Sequence, residues 1–237
     1  MRKKLYIPIK TRQIVVSYCN TDIVPETNYR VGQQNGHTNE IDWFKDYFDF
    51  IEDNGLKTHL AEAYYQSRFL YKIMQGLHLT SFKKTSIIKF QIQQYASIYE
   101  ALIDYTLEKF HKDEVKEQLK ETEFRVINVL SQNSNLTITV DCKEETVYTC
   151  KKTTRNVPLK KTRIDKRTEL AKNYGIISET IKNEFDGLYD LRNNIHILRA
   201  ASANYRPKIQ EASKAFQLME PIQSSVKLYV QIKKNIV

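Results

Sequence analysis

Apolar residues recur at helical spacing through most of the chain. From Asn39, a predicted N-cap, one such run continues until Asn54-Gly55 interrupts it, and a second covers about 57–75. The third run, about 84–110, contains no Gly or Pro. The pattern predicts three amphipathic helices, of which the third is the central packing helix.

The periodicity changes beyond residue 113. A charged helix is predicted over about 113–130, and the alternation of apolar and polar residues in 136–140 then indicates a β-strand. Residues 146–148 follow a polar turn at Lys143-Glu144, so the two short runs together predict a β-hairpin inserted between helices.

Helical spacing returns in the last third of the chain. A short helix is predicted to end at Gly175, and Ser178 is a suitable N-cap for a helix from Glu179 to about Ala200. A final helix is predicted over about 207–236, with a kink at Pro221.

Composition supports a mainly α protein. Of 237 residues, 41% are hydrophobic and 27% are charged, as in a globular protein, and six Gly with five Pro are few for a fold rich in tight turns. We predict an N-terminal arm, residues 1–38, and a single helical domain, residues 39–237, formed by a helical bundle with a small inserted β-hairpin.

No segment predicts a signal peptide or a membrane span, so a cytoplasmic protein with no membrane partner is expected. The odd number of cysteines, Cys19, Cys142 and Cys150, agrees with a reducing compartment. Cys142 and Cys150 flank the hairpin, but no CxxC pair or nearby His completes a tetrahedral set. Neither a metal nor another cofactor is therefore predicted.

The chain has an excess of positive charge. Its 37 Lys and Arg against 28 Asp and Glu give a formal net charge of +9, which favours a polyanion such as RNA as the partner. Segment 151–167 is the most basic part, and an exposed loop of this kind can follow a phosphate backbone, although a merely solvated loop is the alternative. The candidate RNA-binding residues are Lys151, Lys152, Arg155, Lys160, Lys161 and Arg163.

The helix predicted from Glu179 to about Ala200 carries a combination suited to chemistry. Arg192 and His196 fall within the arc of its apolar stripe and are expected to face inward. A guanidinium keeps its charge, so an anion, a carboxylate or a second subunit must meet it. In a metal-free cleavage of RNA, a neighbouring imidazole can move the proton while the guanidinium stabilises the phosphoryl oxygens.

The alternative interpretation of this pair is structural. Arg192 then pairs with an internal carboxylate, Glu100 or Asp104 on the long third helix, and His196 is a hydrogen-bonded core residue. Neighbouring Arg and His residues are common on helices, so the spacing leaves both interpretations open.

Residues 188–196, Leu-Tyr-Asp-Leu-Arg-Asn-Asn-Ile-His, resemble the signature of the HEPN superfamily (higher eukaryotes and prokaryotes nucleotide-binding). Members are small helical bundles with an Arg, a following polar residue and a His near the end of a late helix. The resemblance extends loosely over residues 84–235, with the hairpin and basic segment, 135–168, as an insertion, and leaves 1–83 unmatched.

The resemblance implies a homodimer whose motifs meet in a shared cleft. It also implies a metal-independent endoribonuclease of toxin–antitoxin or antiphage defence, with RNA as substrate and an antitoxin or other defence-system protein as a further partner. It assigns Arg192, Asn193 and His196 to the catalytic site: His196 as general acid and base, Arg192 stabilising the phosphorane, and Asn193 orienting.

Two departures from the family pattern bear on activity. Three residues separate Arg192 from His196, where the family usually has at least four, and Leu198 stands where some nuclease members carry a Tyr. The superfamily also includes non-catalytic members. The alternative function is therefore a non-catalytic helical module that binds RNA or a protein partner.

Overall fold

The structure is a computed structural model that describes residues 40–127, 137–140, 143–146, 148, 150–202 and 204–236. The arm predicted for residues 1–38, the predicted N-cap Asn39 and Cys142 lie outside the described residues. The described part divides into two compact units. One comprises the residues up to Thr106 and from Ile164 onward, and the other comprises Leu107–Arg163.

Helices account for most of the described residues, as predicted. Two pairs of short antiparallel strands interrupt them in the second unit. In chain order the elements are α1 (Glu40–Tyr47), α2 (Asn54–Gly76), α3 (Ser81–Phe110), α4 (Lys112–Gln118), β1 (Lys120–Val126), β2 (Thr137–Val140), β3 (Lys143–Thr146), β4 (Cys150–Asn156), α5 (Ile164–Asn173), α6 (Glu179–Asn194), α7 (Ile197–Ser202), α8 (Ile209–Gln217) and α9 (Met219–Ile236). In the part of the chain that the structure describes, no helix is long and apolar enough to cross a membrane.

Local sequence signals explain several helix ends in the first unit. Asp53 caps α2, because its carboxylate accepts a hydrogen bond of 2.9 Å from the backbone N–H of Leu56. Helix α5 ends at Asn173, two residues before the predicted stop at Gly175, which adopts a φ of 73° that glycine tolerates. Ser178 caps α6 as predicted, with its hydroxyl oxygen 3.2 Å from the backbone nitrogen of Ile181.

The middle of α3 lies in the core of the first unit, as its uninterrupted apolar stripe predicts. Tyr95 and Tyr99 are almost fully buried. The hydroxyl of Tyr99 donates to the carbonyl of Ala215 on α8, and its ring meets that of Phe185 on α6 edge to face at 5.8 Å. These contacts tie α3 to α6, which carries Arg192 and Asn193, and to α8.

The charged helix predicted over 113–130 is wrong beyond residue 118. Helix α4 ends at Gln118, and Lys120–Val126 forms strand β1, which pairs antiparallel with β4. The inserted hairpin is confirmed as the antiparallel pair of β2 and β3, although Lys143-Glu144, predicted as its turn, belongs to β3. The second unit therefore contains a second two-stranded sheet that the sequence pattern did not predict.

The long helices predicted near the C-terminus are each divided in two. The helix predicted from Glu179 to about Ala200 ends at Asn194, and the separate helix α7 begins at Ile197. The helix predicted over 207–236 breaks between Gln217 and Met219, two residues before Pro221, which has no N–H to extend the preceding hydrogen-bond ladder. The sequence predicts a kink at Pro221, and the structure has a break between two helices close to this residue.

Candidate functional site

Arg192 lies in the last turn of α6 and pairs with a carboxylate of its own chain. Its Nη1 is 2.7 Å from Oε2 of Glu100 on α3, and its guanidinium carbon lies 4.9 Å from the centre of the Tyr189 ring. The side chain nevertheless keeps 27% of its surface exposed. The guanidinium is therefore held through one nitrogen, while part of the side chain stays accessible to solvent.

Glu100 belongs to a cluster of four charged groups that joins three helices. Its Oε1 accepts a second hydrogen bond of 2.7 Å from Nη2 of Arg167 on α5, and Arg167 also donates through Nη1 to Asp104, at 2.6 Å. Two carboxylates and two guanidinium groups give this cluster no net charge. Arg192 is its most exposed member, and Arg167 its most buried.

The role of Arg167 was not predicted, because the sequence placed it in the basic segment. Its side chain is only 5% exposed. Burial opposes its charge, but Asp104 and Glu100 more than compensate and raise the pKa of Arg167 above the ordinary value. Helical spacing in the sequence could have indicated this burial. Ile164, Thr168 and Ala171 are buried, and Arg167 lies on the same face of α5 as these three residues.

The prediction that His196 faces inward is wrong, because this residue is exposed. The chain tightens after Asn194, where the backbone nitrogens of Ile195 and His196 each lie 3.3 Å from the carbonyl oxygen three residues earlier, that of Arg192 and of Asn193. His196 therefore occupies the turn between α6 and α7, and the continuous-helix geometry does not apply to it. Asn193 is half-buried in the last turn of α6.

The structural alternative for the pair is confirmed for one member only. The predicted partner Glu100 does bind Arg192, whereas Asp104 binds Arg167 instead. His196 is not a core residue. Arg192 thus contributes to the packing of α6 on α3 through its ion pair, while the imidazole is available to solvent.

The six candidate RNA-binding residues all belong to the second unit and are all exposed. They do not form the loop that was predicted. Lys151, Lys152 and Arg155 lie on strand β4, Lys160 and Lys161 lie in a single 3₁₀ turn, and Arg163 follows that turn. The basic segment is therefore largely held in regular structure.

Pairing of β4 with β1 changes the charge that this segment presents. Arg155 stands opposite Glu121, with 3.8 Å between its Nη2 and the carboxylate, and its Nε lies 3.9 Å from Glu123. These ion pairs are exposed and contribute little to stability. They do, however, reduce the positive charge on the face of the sheet that carries Arg155. Lys151 lies on this same face.

The other face of the β1–β4 sheet combines an exposed ring with basic side chains. Phe124 is 69% exposed and stands directly opposite Lys152. Val126 lies on the same face two residues further along β1, and Lys120 lies on it four residues earlier, where its ammonium pairs with Glu117. An exposed aromatic ring beside a lysine is a combination by which sheet surfaces stack on bases and hold phosphates.

Among the described residues, no group of three or more His, Cys, Asp or Glu side chains is arranged to hold a metal ion. Cys150, one of the two cysteines considered as metal ligands, is a free exposed thiol on β4. No protein-family model matches the chain, and no curated protein or solved structure matches it either.

Proposed function

We propose that this chain is a metal-independent endoribonuclease of the HEPN type in which Arg192, Asn193 and His196 act on RNA. One observation carries the proposal. The side chain of Arg192 is held by Glu100 yet partly exposed, and His196, four residues further on, is exposed as well. A positioned cation and an accessible imidazole are the groups that metal-free phosphodiester cleavage uses.

In the proposed reaction the 2′-hydroxyl of the RNA attacks the adjacent phosphorus. Neutral His196 takes the hydroxyl proton, Arg192 stabilises the charge on the non-bridging oxygens, and Asn193 orients the phosphate. A protonated imidazole then donates to the departing 5′-oxygen. The products are a 2′,3′-cyclic phosphate and a 5′-hydroxyl.

Two proton transfers are needed in this reaction, and each chain offers one imidazole at the motif. A homodimer in which the motif of a second copy supplies the other imidazole would meet this need. The HEPN resemblance further extends the proposal to toxin–antitoxin or antiphage defence, with an antitoxin or another defence-system protein as partner.

Incubation of the full chain with RNA in the presence of EDTA tests the proposal. We expect the wild type to cleave, and Arg192→Ala and His196→Ala each to slow cleavage by about 100-fold or more. Arg206→Ala and His59→Ala serve as matched controls, since both residues are exposed and lie outside the motif. A wild type that leaves RNA intact, or cleavage that survives both motif substitutions, would reject the proposal.

A second candidate function is RNA binding without cleavage. It is favoured by the exposed Phe124 beside Lys152 on the β1–β4 sheet, and by the ion pair that gives Arg192 a structural role. Under this alternative, electrophoretic mobility shifts detect RNA binding by a wild type that does not cleave. Substitution of Arg192 and His196 then leaves RNA affinity unchanged, whereas Phe124→Ala weakens it.

A further inference from the structure

A cavity of about 400 Å³ lies between helices α2, α3 and α8 of the first unit. This volume falls within the range of about 300–1,000 Å³ that is usual for small-molecule sites. Its lining contains none of the three motif residues, so it is distinct from the proposed catalytic site. The residues that matter for its chemistry are Arg68 and Tyr71 on α2, Gln91 and Tyr95 on α3, and Phe216 on α8.

Arg68 supplies a cation to this cavity. Its guanidinium carbon lies 4.6 Å from the centre of the Phe216 ring, which holds the group over the aromatic face. Within the part of the chain that the structure describes, the Arg68 side chain makes neither a hydrogen bond nor an ion pair. Its planar set of donors therefore remains available for an anion, and a carboxylate matches that geometry with two parallel hydrogen bonds.

Gln91 supplies an acceptor without a partner. The residue is 2% exposed, and its amide nitrogen donates to the backbone carbonyl of Ser67 at 3.1 Å. That contact identifies the nitrogen, because a carbonyl can only accept. The amide oxygen is buried and has no hydrogen-bond partner, an arrangement that costs free energy unless a donor reaches it.

Two tyrosines complete the polar lining. The Tyr71 hydroxyl accepts a hydrogen bond of 3.1 Å from the Gln75 side chain and can still donate its own proton. Burial raises the pKa of Tyr95, so its hydroxyl stays protonated. The rings of Tyr95 and Phe216, with centres 6.0 Å apart, form an aromatic wall beside these polar groups.

We propose that this cavity binds a small aromatic monocarboxylate that carries a hydroxyl or amino group. The carboxylate pairs with Arg68, the ring packs against the wall formed by Tyr95 and Phe216, and the hydroxyl or amino group donates to Gln91. A monocarboxylate fits better than a phosphate monoester, which carries a charge of about −1.5 to −2. Arg68 is the one charged residue among those that line the cavity in the described part of the chain.

Titration calorimetry of the full chain with 4-hydroxybenzoate tests this inference. We expect saturable binding of one ligand per chain, with a Kd of about 1 mM or tighter. 4-Hydroxybenzyl alcohol, which lacks the carboxylate, and benzoate, which lacks the second donor, are each expected to bind more weakly. The comparison of ligands requires no variant, so it stands even if a substitution at the cavity prevents folding.

Variants then locate the site. Arg68→Met, which keeps the apolar stem and removes the charge, is expected to raise the Kd roughly tenfold or more. Arg206→Met is the matched control, because Arg206 also lies over an aromatic ring, that of Phe82 at 5.8 Å, but does not line the cavity. Absence of saturable binding, equal binding of the uncharged alcohol, or binding that Arg68→Met leaves intact would each overturn the proposal. None of these outcomes depends on whether the chain cleaves RNA.

Discussion

We expect the two arginines that bind the α3 carboxylates, Arg167 and Arg192, to differ in their contribution to stability. Arg167 makes two charge-assisted hydrogen bonds, of 2.7 and 2.6 Å, and its side chain is 5% exposed. Arg167→Met keeps most of the apolar volume but removes the guanidinium from Asp104, whose side chain is only 14% exposed, while Glu100 keeps Arg192. Breaking a buried pair in this way typically costs about 3–5 kcal/mol.

Arg192→Met is the matched comparison within the same cluster. Arg192 makes one such bond, at 2.7 Å, and 27% of its side chain is exposed. Glu100 also keeps its bond to Arg167 when Arg192 is lost. After allowance for solvent screening, the expected cost is about 1 kcal/mol.

Urea unfolding followed by circular dichroism measures both free energies of unfolding. The slope of the unfolding free energy against urea concentration should be the same in both variants as in the wild type, which would show that all three unfold in similar transitions. The reasoning is refuted if Arg167→Met costs less than about 1 kcal/mol, or if Arg192→Met costs as much as Arg167→Met. The predicted order would mean that Arg192 is the member of the cluster least needed for folding.

The remaining predictions concern the sheet surface and two glycines. Phe124→Ala should weaken binding of single-stranded RNA by about 1–3 kcal/mol in a fluorescence anisotropy titration, whereas Val126→Ala on the same face should change it little. Equal losses from the two substitutions would contradict stacking on Phe124. Gly187→Ala should raise the free energy of unfolding by about 1 kcal/mol, because the site is helical and no atom beyond the neighbouring residues and the adjacent helix backbone lies within 4 Å of the added Cβ. Gly175→Ala should lower the free energy of unfolding by about 1 kcal/mol, because the residue has a φ of 73°. Urea unfolding should therefore give changes in this free energy of opposite sign for the two variants.

Features fixed by neighbouring residues could be predicted from the sequence. The stripe of α3, the cap at Ser178 and the stop at Gly175 depend on residues within a few positions of one another. The end of α6 could not be predicted, because the apolar spacing continues through Ile195 and Leu198 with no proline or glycine between Asn194 and Ala200. Ile195 is buried all the same, and the chain turns immediately after it.

Features fixed by distant residues could not be predicted. Strand β1 has charged residues typical of a helix surface, and its partner β4 begins more than 20 residues later. The buried position of Arg167 depends on Glu100 and Asp104, which precede it by 67 and 63 residues. In the candidate site, the partner Glu100 could be predicted for Arg192, whereas the exposure of His196 depends on the turn after α6.

Analysis of the RNA ends produced in EDTA tests the proposed chemistry most directly. Mass spectrometry should detect a 2′,3′-cyclic phosphate and a 5′-hydroxyl in the products of the wild type, and these ends should disappear with His196→Ala but not with His59→Ala. Products that end in a 3′-hydroxyl and a 5′-phosphate, or cyclic phosphate formed equally well by His196→Ala, would contradict the account.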